Sequence, residues 1–110
     1  MPSPLDIEER HDSEGVVRVL LHGELDVGSA DRLEGRLREL AATTKQVIID
    51  LRGLTFMDST GVRVLLEAAE RGAPALRMLV PDGGDVRVTI DETGIAPLLP
   101  LVDADAGERP

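Results

Sequence analysis

The stretch Val47-Ile48-Ile49-Asp50-Leu51-Arg52-Gly53-Leu54-Thr55-Phe56-Met57-Asp58-Ser59-Thr60-Gly61 changes character twice within one run of chain. Val47 to Ile49 is an unbroken β-branched run ending at Asp50, the pattern of a central strand buried on both faces. Leu51 to Met57 reads as a loop pivoting on Gly53 and carrying Leu54 and Phe56 inward. Asp58-Ser59-Thr60 then opens a helix. Asp58 or Ser59 supplies its N-cap, and Gly61 allows close packing. Val62, Leu65, Leu66 and Ala69 form the buried stripe of that helix, and Val64 and Ala68 widen it.

Upstream, Leu5 to Arg10 alternates as a short strand, His11 to Gly15 is turn chemistry, and Val16 to His22 is a second strand that pairs with the first as a hairpin. Gly23 to Gly28 connects to a helix with Ser29 as N-cap and Asp31 in its first turn. Leu33, Leu37, Leu40 and Ala41 line one face of it. Downstream, Arg71-Gly72 ends the central helix with a cation and a C′ glycine. Ala75 to Val80 is a further strand, and Pro81 to Gly84 is a turn. Val86, Val88 and Ile90 alternate as a strand would, yet Val86 and Ile90 also fit a short helix closed by Thr93-Gly94. Leu98 to Val102 is apolar again, and Asp103 to Pro110 reads as an acidic, frayed tail. Strands alternating with helices imply βαβ crossovers, hence an α/β fold with a mixed sheet and helices on a face.

Length and composition bound what such a fold does. At 110 residues and 11.8 kDa the chain is one domain and buries roughly two-thirds of its unfolded surface. It has no Cys, which removes disulfides and thiolate chemistry. Twenty-one acids against 12 bases give a net charge of -9, the wrong sign for nucleic acid or an anionic membrane. One Phe, without Trp or Tyr, leaves no base-stacking platform. No apolar run approaches the ~18 residues of a membrane span. Met1 to Gly15 lacks the basic and apolar regions of a signal peptide. A soluble cytoplasmic protein is the expectation.

Most chemical motifs fail on spacing. Asp82-Gly83-Gly84-Asp85 lacks the Lys and hydroxyl of a phosphate loop and is a turn. His11 and His22 have no third ligand at recognisable spacing, so no metal or cofactor is expected. A hydrolase built on Ser59 and His22 has no nucleophile-elbow pattern to support it. Asp50, at the end of a buried strand, sits where phosphoacceptor receivers carry their Asp. The sole Lys, Lys45, precedes that strand rather than following a late one, so Asp50 reads as a group hydrogen-bonded to loop backbone.

The concentration of Asp58, Ser59 and Thr60 beside the chain's only aromatic is left over. Val47 to Gly61 resembles the signature of STAS domains, and more closely that of bacterial anti-sigma factor antagonists. Gly23-Glu24-Leu25-Asp26 is similar to that family's second motif. Thr93-Gly94-Ile95 and Leu98 to Val102 are similar to the segment before its last strand. The resemblance covers residues 5 to 103 and implies a single STAS domain over 1–103, with 104–110 as tail and a short helix over Asp85 to Thr93. It implies that Ser59 accepts phosphate from an anti-sigma factor that is an ATP-dependent serine kinase. It also implies that Asp26, Asp58, Ser59, Thr60 and Gly61 contact that partner. A phosphatase would act on the phosphorylated form, and a monomer or weak dimer is expected. The unphosphorylated protein would bind the anti-sigma factor and free sigma, and the phosphorylated protein would not. The alternative is a STAS scaffold or transport-associated module that Ser59 phosphorylation does not control. The family usually ends in a further helix, for which Asp103 to Pro110 is too short and polar.

Overall fold

A computed structural model describes residues 5–71 and 75–103. Its elements are β1 (Leu5–Ser13), β2 (Val16–Leu25), α1 (Ala30–Thr43), β3 (Gln46–Met57), α2 (Ser59–Arg71), β4 (Ala75–Val80), α3 (Asp85–Thr93), a 3₁₀ turn (Ala96–Leu98) and β5 (Leu101–Asp103). The strands form one sheet in the order β1-β2-β3-β4-β5. β1 and β2 are an antiparallel hairpin, and each later strand is parallel to its predecessor. Helical crossovers of this kind are what parallel neighbours require.

Alternation places Val17, Val19 and Leu21 of β2, Val47, Ile49 and Leu51 of β3, and Met78 and Val80 of β4 on one side of the sheet, all buried. Leu33, Leu37 and Leu40 of α1, Val62, Val64 and Leu65 of α2, and Val86 and Ile90 of α3 join them in one continuous core. The mixed sheet with helices on one face is therefore as expected. Burial of β3 on both faces is not: Ile48, on the side away from this core, is only half-buried. On that side Arg52 clasps Asp50, which is 4% exposed. Asp50 accepts from the Arg52 N–H (3.0 Å), Nε (2.9 Å) and Nη2 (2.6 Å). Burial pushes the Asp50 carboxyl up, but the Arg52 hydrogen bonds and the Arg52 and Arg18 charges outweigh it and hold it below the usual carboxylate range. Its main partner is a guanidinium, with one backbone N–H besides.

The strands run further than their sequence suggests. β1 continues through His11 and Asp12 to Ser13, leaving Glu14-Gly15 as the turn. β2 continues to Leu25. Gly23 sits within it at φ 101°, a conformation that costs glycine little and other residues much. The largest departure is at 51–57, which is strand and not loop. Leu20 pairs with Asp50, His22 with Gly53 and Glu24 with Phe56, so β3 gains one residue on β2 at each of two bulges. Each bulge turns a two-residue step into a three-residue step, and the buried side chains become Leu51, Leu54 and Met57. Leu54 points inward as expected. Phe56 does not: it is 44% exposed.

The ambiguous segment is helix, with Val86 and Ile90 buried and Gly94 closing it. Ser29 occupies the N-cap position of α1 but makes no side-chain cap bond. In α2, Leu66 and Ala69 lie at the edge of the buried stripe, which centres on Gly61, Val62, Val64, Leu65 and Ala68. Gly72 and the tail 104–110 lie outside the described residues.

Candidate functional site

The parallel strands β2 and β3 end side by side, Leu25 opposite Met57. The chain leaves each into a polar turn, and the two turns are joined: the Asp58 N–H donates to the Leu25 carbonyl at 3.1 Å. Asp26, Asp58, Ser59, Thr60 and Gly61, separated by more than thirty positions in the chain, thus form one corner of the molecule.

Asp58 organises it. Its Oδ1 accepts from the N–H groups of Thr60 (2.9 Å) and Gly61 (3.3 Å), which caps α2, and from the Thr60 hydroxyl. A Val27 backbone N–H adds to this set from the neighbouring turn. Partial burial pushes the Asp58 carboxyl up, but these four hydrogen bonds together outweigh it and keep the group below its ordinary range. Asp58 is thus a fixed negative charge at neutral pH.

The Asp26 turn has its own lock. Ser29 is fully buried; its Oγ accepts from the Asp26 N–H at 3.1 Å and lies 3.1 Å from the Glu24 carbonyl and 3.2 Å from Asp26 Oδ1. Asp26 Oδ1 also accepts from the Gly28 N–H at 3.0 Å. The Ser29 hydroxyl therefore shapes the turn before α1 instead of capping that helix.

Gly61 is required by contact. A Cβ there would sit 2.7 Å from Met57 Cγ and 2.8 Å from Leu25 Cγ. The absent side chain lets the first turn of α2 rest on the ends of both strands.

Ser59 and Thr60 face different surroundings. Ser59 is the first residue of α2 and is exposed, with its hydroxyl in no hydrogen bond among the described residues. Thr60 is half-buried and its hydroxyl is given to Asp58. Two apolar side chains stand open around this corner: Val27, 75% exposed, between Asp26 and Gly28, and Phe56, two residues before Asp58. Sequence reading missed both. Val27 carried a usable signal, an apolar residue stranded among turn formers; Phe56 was hidden by the second bulge. The two histidines do not come to this site: His22 is exposed with Nε2 3.7 Å from Glu8 Oε1, and no group of three metal-ligating residues occurs among the described residues. No helix among the described residues is long and apolar enough to cross a membrane.

Comparison with known proteins bears on the fold and the family. The fold is similar to an anti-sigma factor antagonist from Mycobacterium paratuberculosis, 25% identical over 92% of this chain and 89% of that one, TM-score 0.78. It is similar to the anti-sigma factor antagonist SpoIIAA in its unphosphorylated form, 24% identical over 90% of this chain and 88% of that one, TM-score 0.71. It is also similar to a sulfate transporter family protein from Wolinella succinogenes, 25% identical over 86% of this chain and 81% of that one, TM-score 0.68. The STAS domain family matches residues 9–104, a span that takes in both turns of the site and all three helices. With the sheet order, the doubly anchored turns and this match in agreement, the chain belongs to the STAS domain family.

Proposed function

We propose that this chain is an anti-sigma factor antagonist: it docks an anti-sigma factor serine kinase through the corner formed by Asp26, Asp58, Ser59, Thr60 and Gly61, and phosphorylation of Ser59 ends the docking. The observation that carries this reading is the pairing of an exposed, unengaged Ser59 with two exposed apolar side chains, Val27 and Phe56, on a rigidly held corner. A binding face needs apolar contact that loses water on docking, and a phosphoacceptor needs a hydroxyl that a kinase can reach. In the transfer the Ser59 oxygen bonds to the γ-phosphorus of ATP, the bond from that phosphorus to the β-phosphate bridge oxygen breaks, ADP leaves and the hydroxyl proton is released. The chain itself supplies no catalytic group to that step and serves as substrate and ligand. A phosphatase returns it to the binding form.

The test is phosphosite mapping after incubation with ATP and candidate anti-sigma factor kinases. One phosphate is expected, on Ser59, and none on Ser59→Ala; modification of Ser59→Ala at the level of the natural sequence overturns the assignment. Ser59→Ala is also expected to retain the kinase partner on a column in the presence of ATP, where the natural sequence releases it.

Phe56→Ala separates binding from folding. Because Phe56 is 44% exposed, its truncation is expected to cost about 1 kcal/mol of stability, well short of the ~3–5 of a buried Phe, while weakening partner affinity about tenfold or more. A large melting shift, or undiminished affinity, contradicts its place in the docking face.

The similarity to the sulfate transporter family protein favours a second reading, a transport-associated regulatory module that uses the same corner without Ser59 chemistry. It is favoured if no serine kinase modifies the chain.

A further inference from the structure

Arg63 lies four residues after Ser59 on α2, and both are exposed. Such residues stand one above the other, with Cβ atoms about 5–6 Å apart and the later side chain leaning back toward the earlier one. In the unmodified chain Arg63 leans the other way: its Nη1 is 3.2 Å from Glu67 Oε1, one turn further on. That pair has the weaker polarity for a helix, base before acid.

We infer that phosphorylation of Ser59 draws Arg63 away from Glu67 and onto the phosphate. This rests on the reading of Ser59 as phosphoacceptor. Two of the helix N-terminal donors are closed to the phosphate, because Asp58 already holds the Thr60 and Gly61 N–H groups. Arg63 is the only base in the first three turns of α2. The new pair places the acid first and the base four residues later, the favoured polarity. It sets a charge of about -1.5 to -2 against the single charge of Glu67, and a guanidinium binds phosphate through two parallel hydrogen bonds. The charged residues on the segments that meet at this corner are Asp58 directly before Ser59, Glu24 and Asp26 at the end of β2 and in the turn after it, and Arg63 and Glu67 on α2.

The exchange has a consequence away from the modified residue. Glu67 loses its cation, so one phosphorylation alters the charge of the α2 surface as far as eight residues on, about 12 Å along the helix. The partner then meets a changed stripe and not a changed point.

The experiment installs phosphoserine at position 59 by nonsense-codon suppression, so neither kinase nor partner is needed. Phosphorus NMR follows the second ionisation of the phosphate, and nitrogen NMR follows Arg63 Nε in the same samples. The Arg63 resonance is expected to titrate with the phosphate's own midpoint. Arg63→Gln is expected to raise that midpoint by roughly half a pH unit, and Arg71→Gln, at the far end of α2, to leave it in place. An Arg63 resonance that does not follow the phosphate, or an unmoved midpoint in Arg63→Gln, overturns the inference. Absence of any kinase for Ser59 would instead sink the proposed function and leave these spectra unaffected.

Discussion

A chain phosphorylated at Ser59 is expected to melt within about 3 °C of the unmodified protein, a change under ~1 kcal/mol, and to lose a hundredfold or more in affinity for the anti-sigma factor we propose as its partner. The first half follows from exposure: the hydroxyl holds nothing together in the fold. A dianion on the first turn of a helix gains about 0.3–1 kcal/mol from the helix dipole. Repulsion from the fixed charge of Asp58 opposes that gain, weakened by solvent and salt. The second half follows from losing that solvent. On docking, the phosphate must shed water beside a carboxylate that its own hydrogen bonds keep ionised. One arginine leaves part of the phosphate's charge uncompensated, stripping that charge of water costs several kcal/mol, and each 1.4 kcal/mol is a factor of ten. Calorimetric titration and a thermal melt on the same phosphorylated sample decide it. A melting point lowered by 10 °C or more (~2 kcal/mol) would move the switch from the interface into the fold, and undiminished binding would remove the switch altogether.

Two glycines in helices are expected to respond with opposite sign. Gly61→Val forces atoms into space that Met57 and Leu25 already fill at 2.7 and 2.8 Å. Overpacking of this kind costs about 1–3 kcal/mol and here acts on the ends of two strands at once. A fall of about 5–15 °C in melting temperature is expected, with lost partner binding because the first turn of α2 is pushed off its seat. Gly35, in the middle of α1, has nothing within 4 Å of where its Cβ would be. Gly35→Ala should therefore stabilise by about 0.5–1 kcal/mol through helix propensity and a less flexible unfolded chain. Melts of the two variants side by side check the claim. A stable Gly61→Val protein would mean that α2 can lift away from β2 and β3 without loss.

The hairpin, the first two helices and the parallel crossover between β3 and β4 are legible because their apolar residues repeat at the ordinary periods of two and 3.6. The stretch from Leu51 to Met57 was not, because no single period describes it. With buried residues at 51, 54 and 57 it looks like neither strand nor helix, and a loop was the natural reading. That misreading turned Phe56 the wrong way. The helix over Asp85–Thr93 is hidden from local pattern, since Val86, Val88 and Ile90 alternate as in a strand while Val86 and Ile90 alone fit a helix, and only packing on the sheet leaves Val88 outside. At the site, the residue types announced Asp58 and Ser59. Which of Ser59 and Thr60 keeps its hydroxyl free depends on where the Asp58 carboxylate turns, and that is a property of the folded cap. The role of Ser29 was read as local to α1, whereas its hydroxyl answers to Glu24 and Asp26, on the far side of the turn.

The two extra residues of β3 act as a vernier between neighbouring strands. Partner offsets along β2 and β3 grow from 30 positions at Val16–Gln46 to 32 at Leu25–Met57, yet the strands finish level, and so the turns that leave them meet. Removing one residue between Leu54 and Met57 would reset the scale by one graduation. The core below could close as before, while the platform that carries Ser59 would drop by about one strand step, roughly 3.3 Å, relative to the Asp26 turn that steadies it. The length of this segment is therefore a calibration of height, and a chain of this family that is one residue shorter there must recover the difference elsewhere in order to present its serine at the same level.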